Sequence, residues 1–525
     1  MANKDPFGIL ERKDDFQTND GGADGRELKL VGDVQQKFDE SKRARSDKDK
    51  WWDYYRLMLQ GESLIAKTRV DNEVLRVVLS GDASRSKSKD NILIEMHRAF
   101  IGKLTEVIPR VMVSPASDDR DDMLAAEVRT GFLDWQYEAN KMELKFKRAV
   151  DTIDWAGIGI WHLEWDTFGG REISQCPQCE HTVVGEIKGP CPLCMTEAMS
   201  DEFDEEPLEV PQMERAFEGA LKISVPSPFE FFPDPGCGLD IENAQHAFLV
   251  RVVPVNKLRE RYPDKAHLIK PESELLEDKY ISSLGGQKGR IEKKYYNDHV
   301  REFLYYEMPT GDYPKGRIIH MANDRILDEK ENEIAHIIKR LPFFLARGDI
   351  LGDDVWGHEI IGDSEGLQRE RDIATSQLRR QRENASNPKL MTFRGSGVEN
   401  KPITRNPEEP ISVKSPALAP KYLRTPEMPQ WASAEPERLK VAIRDKFAVT
   451  PHEVGQIQSG DSGRFAAMLE NQTNGSIKGI LLETHAEWQE LHRAMIMVGK
   501  EMMPEDMVWV ATGKDRPRIY AWKSA

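Results

Sequence analysis

The spacing of apolar and polar positions divides this chain into long helices, short strands and polar connectors. Residues 1–33 show no apolar period and are rich in Gly and Asp, which predicts a disordered segment. A helical pattern is predicted from about Val34. It runs through Lys50-Trp51-Trp52-Asp53-Tyr54-Tyr55-Arg56-Leu57-Met58, where aromatics collect on one side of a charged helix. Trp51 and Trp52 are expected to face a core or a subunit contact. Amphipathic helices are predicted at 91–109, ended by Pro109, and at 118–140, with Asp118, Asp119, Asp121 and Asp122 at its positive end. Helix continues over 142–155. Gly157-Ile158-Gly159-Ile160-Trp161-His162-Leu163-Glu164-Trp165 then switches to period two, which predicts a strand.

Further strands are predicted at 221–225, 246–253, 300–306, 316–321 and near 325–327, with a short helix at 256–262. Residues 264–295 read as polar, helical or irregular. A long helix is predicted from about Asp363 to Asn384, ended by Asn387-Pro388, and carries Arg369, Arg371, Arg379, Arg380 and Arg382. A Pro- and Gly-rich stretch covers 394–431. Helices follow at about 433–447, 462–471 and 475–502, and 507–510 with 518–522 reads as a hairpin. No internal repeat is present. The pattern predicts an α+β chain of several domains.

Composition narrows the function classes. The 525 residues are 39% hydrophobic and 31% charged. No run of eighteen apolar residues occurs, so no membrane-spanning helix is expected. The N-terminal residues lack the apolar core of a signal peptide. Net charge is 74 − 90 = −16. That acidity argues against tight, sequence-independent wrapping of DNA, which needs a basic footprint. It leaves room for a protein past which DNA slides.

Four of the five cysteines form two short pairs, Cys176-Pro177-Gln178-Cys179 and Cys191-Pro192-Leu193-Cys194, with eleven residues between them. Each pair makes a tight turn that aims two thiolates at one ion, and two such turns complete a tetrahedron. The spacing predicts a structural zinc on Cys176, Cys179, Cys191 and Cys194. His181 lies between the pairs but is not needed as a ligand. Cys237 is left over, and a reducing compartment fits this usage better than a disulfide framework. An acidic tract at 201–209 reads as a solvated linker.

Catalytic strings do not find their context. There is no phosphate loop, and His358-Glu359 and His452-Glu453 lack the second His of a zinc-protease motif. Gly362-Asp363-Ser364-Glu365-Gly366 has the lettering of a nucleophile elbow but no strand before it, so Ser364 is expected in a helix N-cap region. Gly460-Asp461-Ser462-Gly463 lies between helices and is also read as an N-cap. No enzyme is expected.

Taken in order, the segments over about 35–505 resemble a tailed-bacteriophage portal protein, the head–tail connector. Gly157 to Asp166 resembles the helix-to-strand step of the portal wing. Val225-Pro226-Ser227-Pro228-Phe229-Glu230-Phe231-Phe232-Pro233-Asp234-Pro235 is similar to the family's strand of Pro, aromatic, then Asp-Pro. Glu302-Phe303-Leu304-Tyr305-Tyr306-Glu307, Pro314-Lys315-Gly316 and Asn323-Asp324-Arg325-Ile326-Leu327 look like the clip. Leu341-Pro342-Phe343-Phe344 and Trp356-Gly357 to Asn384 resemble the return through the stem. Val449-Thr450-Pro451-His452-Glu453-Val454-Gly455 resembles the segment after the long wing helix. The cysteine knuckles depart from the family pattern, so 167–218 looks like a zinc-ribbon-like insertion into the wing.

The resemblance implies a portal-like α+β fold, with long stem, wing and crown-side helices and small β elements in wing and clip. It divides the chain into a disordered 1–33, an N-terminal wing part 34–166, the zinc-knuckle insertion 167–218, wing strands 219–262 and a first stem part 263–298. The clip at 299–340, a stem return helix 341–388, wing strands and tunnel loop 389–432, wing and crown-side helices 433–505 and a C-terminal hairpin 506–525 complete it. It implies a virion protein assembled in the host cytoplasm, a homo-oligomer of twelve subunits at one capsid vertex. Its partners would be double-stranded DNA in packaging and ejection, the terminase, a head–tail adaptor, and capsid and scaffold proteins, with no membrane.

Twelve copies would carry about −190 formal charges, and an acidic wall lets DNA pass without holding it. By resemblance, the loop nearest DNA is Pro420-Lys421-Tyr422-Leu423-Arg424-Thr425, and Lys421 and Arg424 are candidates for phosphate contact; a salt bridge to a neighbouring subunit is the plainer role. For the Arg-rich helix, ion pairs between subunits are expected ahead of DNA contact. The competing readings are a zinc-ribbon nucleic-acid-binding protein and another virion structural protein. Between Cys176 and Cys194 the only basic residue is Lys188, which disfavours the first.

Overall fold

The computed structural model describes residues 25–61, 65–70, 73–78, 90–167, 213–272, 298–386, 390–398, 412–423, 429–449, 463–503, 508–512 and 517–521. Between 168 and 212 it describes 169–177, 179, 182–185, 189, 191, 192 and 194. Helix and antiparallel sheet are mixed throughout, and the chain divides into two units. One is Met1–Ser46 with Phe229–Leu341; the other is Asp47–Pro228 with Pro342–Ala525.

The first unit is built on a five-stranded antiparallel sheet. Its strands are β8 (Phe231–Pro233), β9 (His246–Pro254), β10 (His299–Glu307), β11 (Arg317–Ala322) and β12 (Arg325–Glu331), in the order β12-β11-β10-β9-β8. β9 and β10 pair along their whole length, from His246↔Glu307 to Pro254↔His299. The segments 219–262 and 299–340, expected as separate wing and clip parts, therefore share one sheet. Only β7 (Ala220–Ser224) of the earlier segment lies in the other unit. Asn323 and Asp324 turn β11 into β12 with φ of 50° and 58°, the left-handed pair that a two-residue hairpin needs.

One face of this sheet is covered by the start of α1 (Gly25–Leu59). Val31 and Val34 are buried against Phe232, Phe248, Val250, Tyr305 and Ile319, and Phe38 meets Phe232 edge-on at 4.9 Å. Arg45 lies flat on Phe232 at 3.5 Å and donates to the carbonyls of Phe229 and Phe231. This packing corrects the expected start of order. The helix begins at Gly25, not near Val34, because Leu30, Val31 and Val34 gain a sheet to cover. On the other face, Val255 and Leu258 of α6 (Val255–Arg261) pack with Ile269, Val300, Ala322 and Leu327. A 3-10 turn spans Pro263–Leu268, and the rest of the expected first stem part, 273–297, lies outside the described residues.

In the second unit, β3 (Ile158–Asp166) is the centre of a sheet ordered β13-β3-β7, with β13 at Phe343–Arg347. Trp161 points from β3 into an aromatic nest. It stacks on Phe146 of α4 (Met142–Val150) at 5.8 Å and lies 5.1 Å from Trp488 of α10 (Gly463–Met502). Helix α10 is one element of 40 residues, where two helices were expected. The gap expected at 472–474 is helical, and the interior Gly475 beside it costs only about 1 kcal/mol, which packing overrides. The buried Ile477, Ile480, Trp488, Leu491 and Met495 supply that packing.

Gly157 ends α5 (Ile153–Ala156) in the left-handed region, φ +73°, and its missing Cβ makes room for the carbonyl of Gly357. Trp52 is fully buried and donates to Glu359 at 3.2 Å, whereas Trp51 is exposed and stacks on Tyr55. Among the described residues no helix is long and apolar enough to cross a membrane.

A buried ion pair ties α2 (Leu93–Leu104) to α5. His97 Nδ1 lies 2.6 Å from Asp154, which is fully buried, and its Nε2 lies 3.5 Å from Asp151. Burial works against the imidazolium, but hydrogen bonds to Asp151 and Asp154 outweigh it and raise the His97 pKa from 6.5 to about 10. A raised folded pKa stabilises fully below the unfolded value and is lost as pH rises through the folded one. The stability gap between wild type and His97→Gln should therefore shrink as pH rises from about 6.5 towards 10 in urea titrations. A gap that stays flat or widens over that range contradicts the pairing.

Candidate metal centre

The second unit's sheet places the cysteines. The chain leaves it after Asp166 on β3 and returns at Ala220 on β7, and these two residues are register partners. Everything between is an excursion from one edge of a paired hairpin. Within it, β4 (Glu172–Gln175) pairs with β5 (Thr182–Val184) and with β6 (Glu214–Phe217), giving the order β5-β4-β6. The first cysteine pair follows β4 and the second follows β5. Ser174 Oγ donates to Gly185 O at 2.8 Å, Gly185 N to Glu172 O at 2.9 Å, and Met213 N to Gly189 O at 2.9 Å. These bonds hold the two knuckles face to face.

All four sulfurs lie within 4.8 Å of one another. Cys176 Sγ is 3.8 Å from Cys194 Sγ, and Cys179 Sγ is 3.6 Å from Cys191 Sγ. A tetrahedron with metal–sulfur bonds of about 2.3 Å has sulfur–sulfur edges of about 3.8 Å. A disulfide needs about 2.05 Å, so these are four free thiols. Cys176 and Cys191 are fully buried and Cys179 and Cys194 partly so, with Met213 and Val183 against them. The Cys194 thiol is raised by its hydrogen bond to Cys179, then by burial and by Cys191 and Cys176. Crowding of this kind disfavours thiolates until a cation offsets their charge. The four cysteines thus cluster at metal-binding distance. His181 lies outside the described residues.

The excursion is closed by a neck that the cysteine spacing did not reveal. Arg171 and Glu218 form a two-pronged ion pair, at 3.0 Å through Nε and 2.8 Å through Nη2. Gly219 N donates to Gly169 O at 3.1 Å. Gly219 has φ +80°, and a Cβ there would fall on the Trp165 ring, with Nε1 only 2.7 Å away. The Gly169-Gly170 doublet and Gly219, set on either side of the insertion, were the available signal. Gly219→Ala is expected to cost about 2 kcal/mol or more, from a left-handed Ala and a clash with the indole. Urea denaturation followed by far-UV circular dichroism checks this, and a wild-type midpoint would show that the neck is not tight.

The other candidate residues lie elsewhere. Lys421 sits on β15 (Lys421–Tyr422), which pairs with β14 (Leu390–Met391), and it is exposed. Arg424 lies outside the described residues. The arginines of α8 (Ile360–Ser386) are corrected in part. Arg369 binds Glu365 and Tyr54, Arg379 binds Glu383, and buried Arg371 binds Asp90 at 2.7 Å and the Pro436 carbonyl at 3.2 Å. These three are paired within the chain, and Arg380 and Arg382 are exposed. Pro436 lies inside α9 (Gln430–Lys446).

Ser364 is not an N-cap. It is fully buried within the first turns of α8, since Ile360 and Ile361 start the helix by burying their side chains. Gly460 to Ser462 lie outside the described residues. His162 Nδ1 is 3.2 Å from Ser224 Oγ and 3.9 Å from Glu164. A proton relay needs hydroxyl and carboxylate on opposite ring nitrogens, and here one nitrogen faces both. Cys237 is buried in a 3-10 turn with Sγ 3.7 Å from Gly238 O.

The excursion is strongly acidic. Residues 167–218 hold three basic side chains, Arg171, Lys188 and Arg215, against twelve acidic ones, a net of −9. No family model matches the chain, and no curated protein matches it.

Proposed function

We propose that this chain is a portal-type subunit, a ring-forming virion protein whose channel passes double-stranded DNA, with a zinc-stapled module inserted between β3 and β7. The order of segments carries this reading. A helix-to-strand step at Gly157 is followed by the Pro-aromatic-Asp-Pro strand at 226–235. The strands and turns at 302–327 come next, then a helix of 27 residues and a last helix of 40. At 1.5 Å per residue these two helices are about 40 Å and 60 Å long, enough to line a channel. The acidic net charge suits passage without capture.

In this reading the protein makes and breaks no bond; it attaches the terminase and then the tail adaptor, and it guides DNA. Lys421 and Arg424 are its proposed phosphate contacts. The metal is zinc, because four thiolates in a closed tetrahedral set suit a soft ion and leave no position open for substrate. The zinc then holds the small β5-β4-β6 sheet together and does no chemistry. The net charge of that excursion disfavours a nucleic-acid-reading zinc ribbon. Native mass spectrometry of the purified chain tests assembly: a single large species near twelve subunits supports the reading, and a monomer at every concentration removes it.

A further inference from the structure

Between α2 and α3 (Arg120–Ala139) the chain runs along the surface of the second unit without joining a sheet. Exposure alternates there. Arg110, Met112 and Ser114 are exposed, Met112 at 77%, and Val111 and Val113 are half-buried. That period of two marks an extended strand. The anchors agree with it. Arg110 lies over the Tyr137 ring at 4.8 Å, and Val113 N donates to Thr130 Oγ1 at 3.1 Å. Three residues of chain thus span seven residues of α3, about 10 Å, which is the rise of a strand.

Only the inner edge of this strand has backbone partners among the described residues. Pro109 O accepts from Trp488 Nε1 at 3.0 Å, and Val113 N is held by Thr130. An extended backbone turns the N–H and C=O of alternate residues to opposite edges. Residues 109, 111 and 113 therefore face the helices, and 110, 112 and 114 carry the outer edge. Among the described residues, 107–116 make no backbone–backbone hydrogen bond. Pro109 and Pro115 limit the open edge to the five residues between them. An apolar edge left open in this way is a template for another strand.

The hairpin of β1 (Ile65–Val70) and β2 (Glu73–Val78) offers such a strand. It is a sheet of two strands, marginal by itself, and each strand keeps one outer edge. β1 has six residues, enough to cover the five between the prolines. The signs are complementary. Residues 65–78 hold Lys67, Arg69 and Arg76 against Asp71 and Glu73, a net of +1, and 109–122 hold two arginines against four aspartates, a net of −2. We infer that β1 of a second copy adds to the open edge of Arg110, Met112 and Ser114, so that a three-stranded sheet joins neighbouring copies. Hairpin and edge are different surfaces of one chain, so the contact runs head to tail, the kind that closes into rings. The inference rests on the ring reading for that closure and names the contact that makes it.

The test uses the full chain carrying the photocrosslinker p-benzoylphenylalanine in place of Met112. Isotope-labelled and unlabelled copies are mixed before assembly and irradiated, and native mass spectrometry of the same samples reads the assembly state. Crosslinks should join position 112 of one copy to 65–70 of another. A crosslink that stays within one copy, lands on any other segment (a second 110–114 included) or does not form overturns the inference. Met112→Pro removes one outward N–H, suits an extended backbone and touches neither anchor. It should keep the wild-type far-UV circular dichroism and raise the concentration for half-assembly about tenfold or more. Met112→Thr keeps the donor and should assemble as wild type. Met112→Pro that assembles at the wild-type concentration overturns the inference. Closed rings without the crosslink keep the ring and remove this contact. An open or dimeric species crosslinked through β1 keeps the contact and removes the ring.

Discussion

Cys191→Ser should abolish metal binding and unfold the β5-β4-β6 excursion while the rest of the second unit stays intact. Cys191 is fully buried, and its sulfur is one corner of the four-sulfur cluster. A serine hydroxyl does not ionise near neutral pH and is a poor ligand for a soft ion. The remaining core is small: Met213 and the partly buried Val183 beside the sulfurs, under strands of three or four residues. A structural zinc contributes about 10–16 kcal/mol to folding in small zinc-finger peptides, far more than such a core provides. Metal analysis should fall from one zinc per chain to near none. Hydrogen exchange should speed up at 172–175, 182–184 and 214–217, and stay slow at β3 and β7. A variant that keeps its metal, or keeps slow exchange at those strands, would contradict the staple. Wild-type protein that is coloured and contains iron would correct the metal.

Trp161→Ala should be the most damaging single change in the second unit. The indole is fully buried at the centre of β3 and touches Phe146 and Trp488. Its Nε1 donates to Lys145 O at 3.3 Å, a bond that the truncation also removes. Large-to-small changes of this kind cost about 3–5 kcal/mol. The urea midpoint of the second unit should drop with an unchanged slope, since exposed area on unfolding is nearly the same. A loss below about 1 kcal/mol would mean that the nest relaxes around the gap and that β3 is not the organising strand.

Local chemistry was legible in the sequence and long-range pairing was not. The knuckle spacing located all four sulfurs because a tight turn fixes its own geometry. The period-two run after Gly157 located β3, since alternation is a property of one strand. Sheet membership depends on partners far along the chain. Nothing local says that β9 pairs with β10, or that β3 pairs with β13 almost two hundred residues later. The same limit hid the partners of Arg371, because Asp90 and Pro436 are distant in sequence. At the N-terminus, three apolar residues among many charges gave too weak a period, and only the sheet beneath them accounts for the helix. The Gly219 neck was missed for a different reason: a glycine between two strands reads as an ordinary turn until Trp165 is seen to fill the space above it.

The assembly state bears most directly on the proposed role, because a channel for DNA exists only in a closed ring. Electron microscopy of the purified chain, imaged as single particles over a range of concentrations and salt, is the decisive observation. The account predicts closed rings with one subunit number, near twelve, and a central channel wide enough for duplex DNA. Monodisperse monomers or dimers under every condition would contradict it.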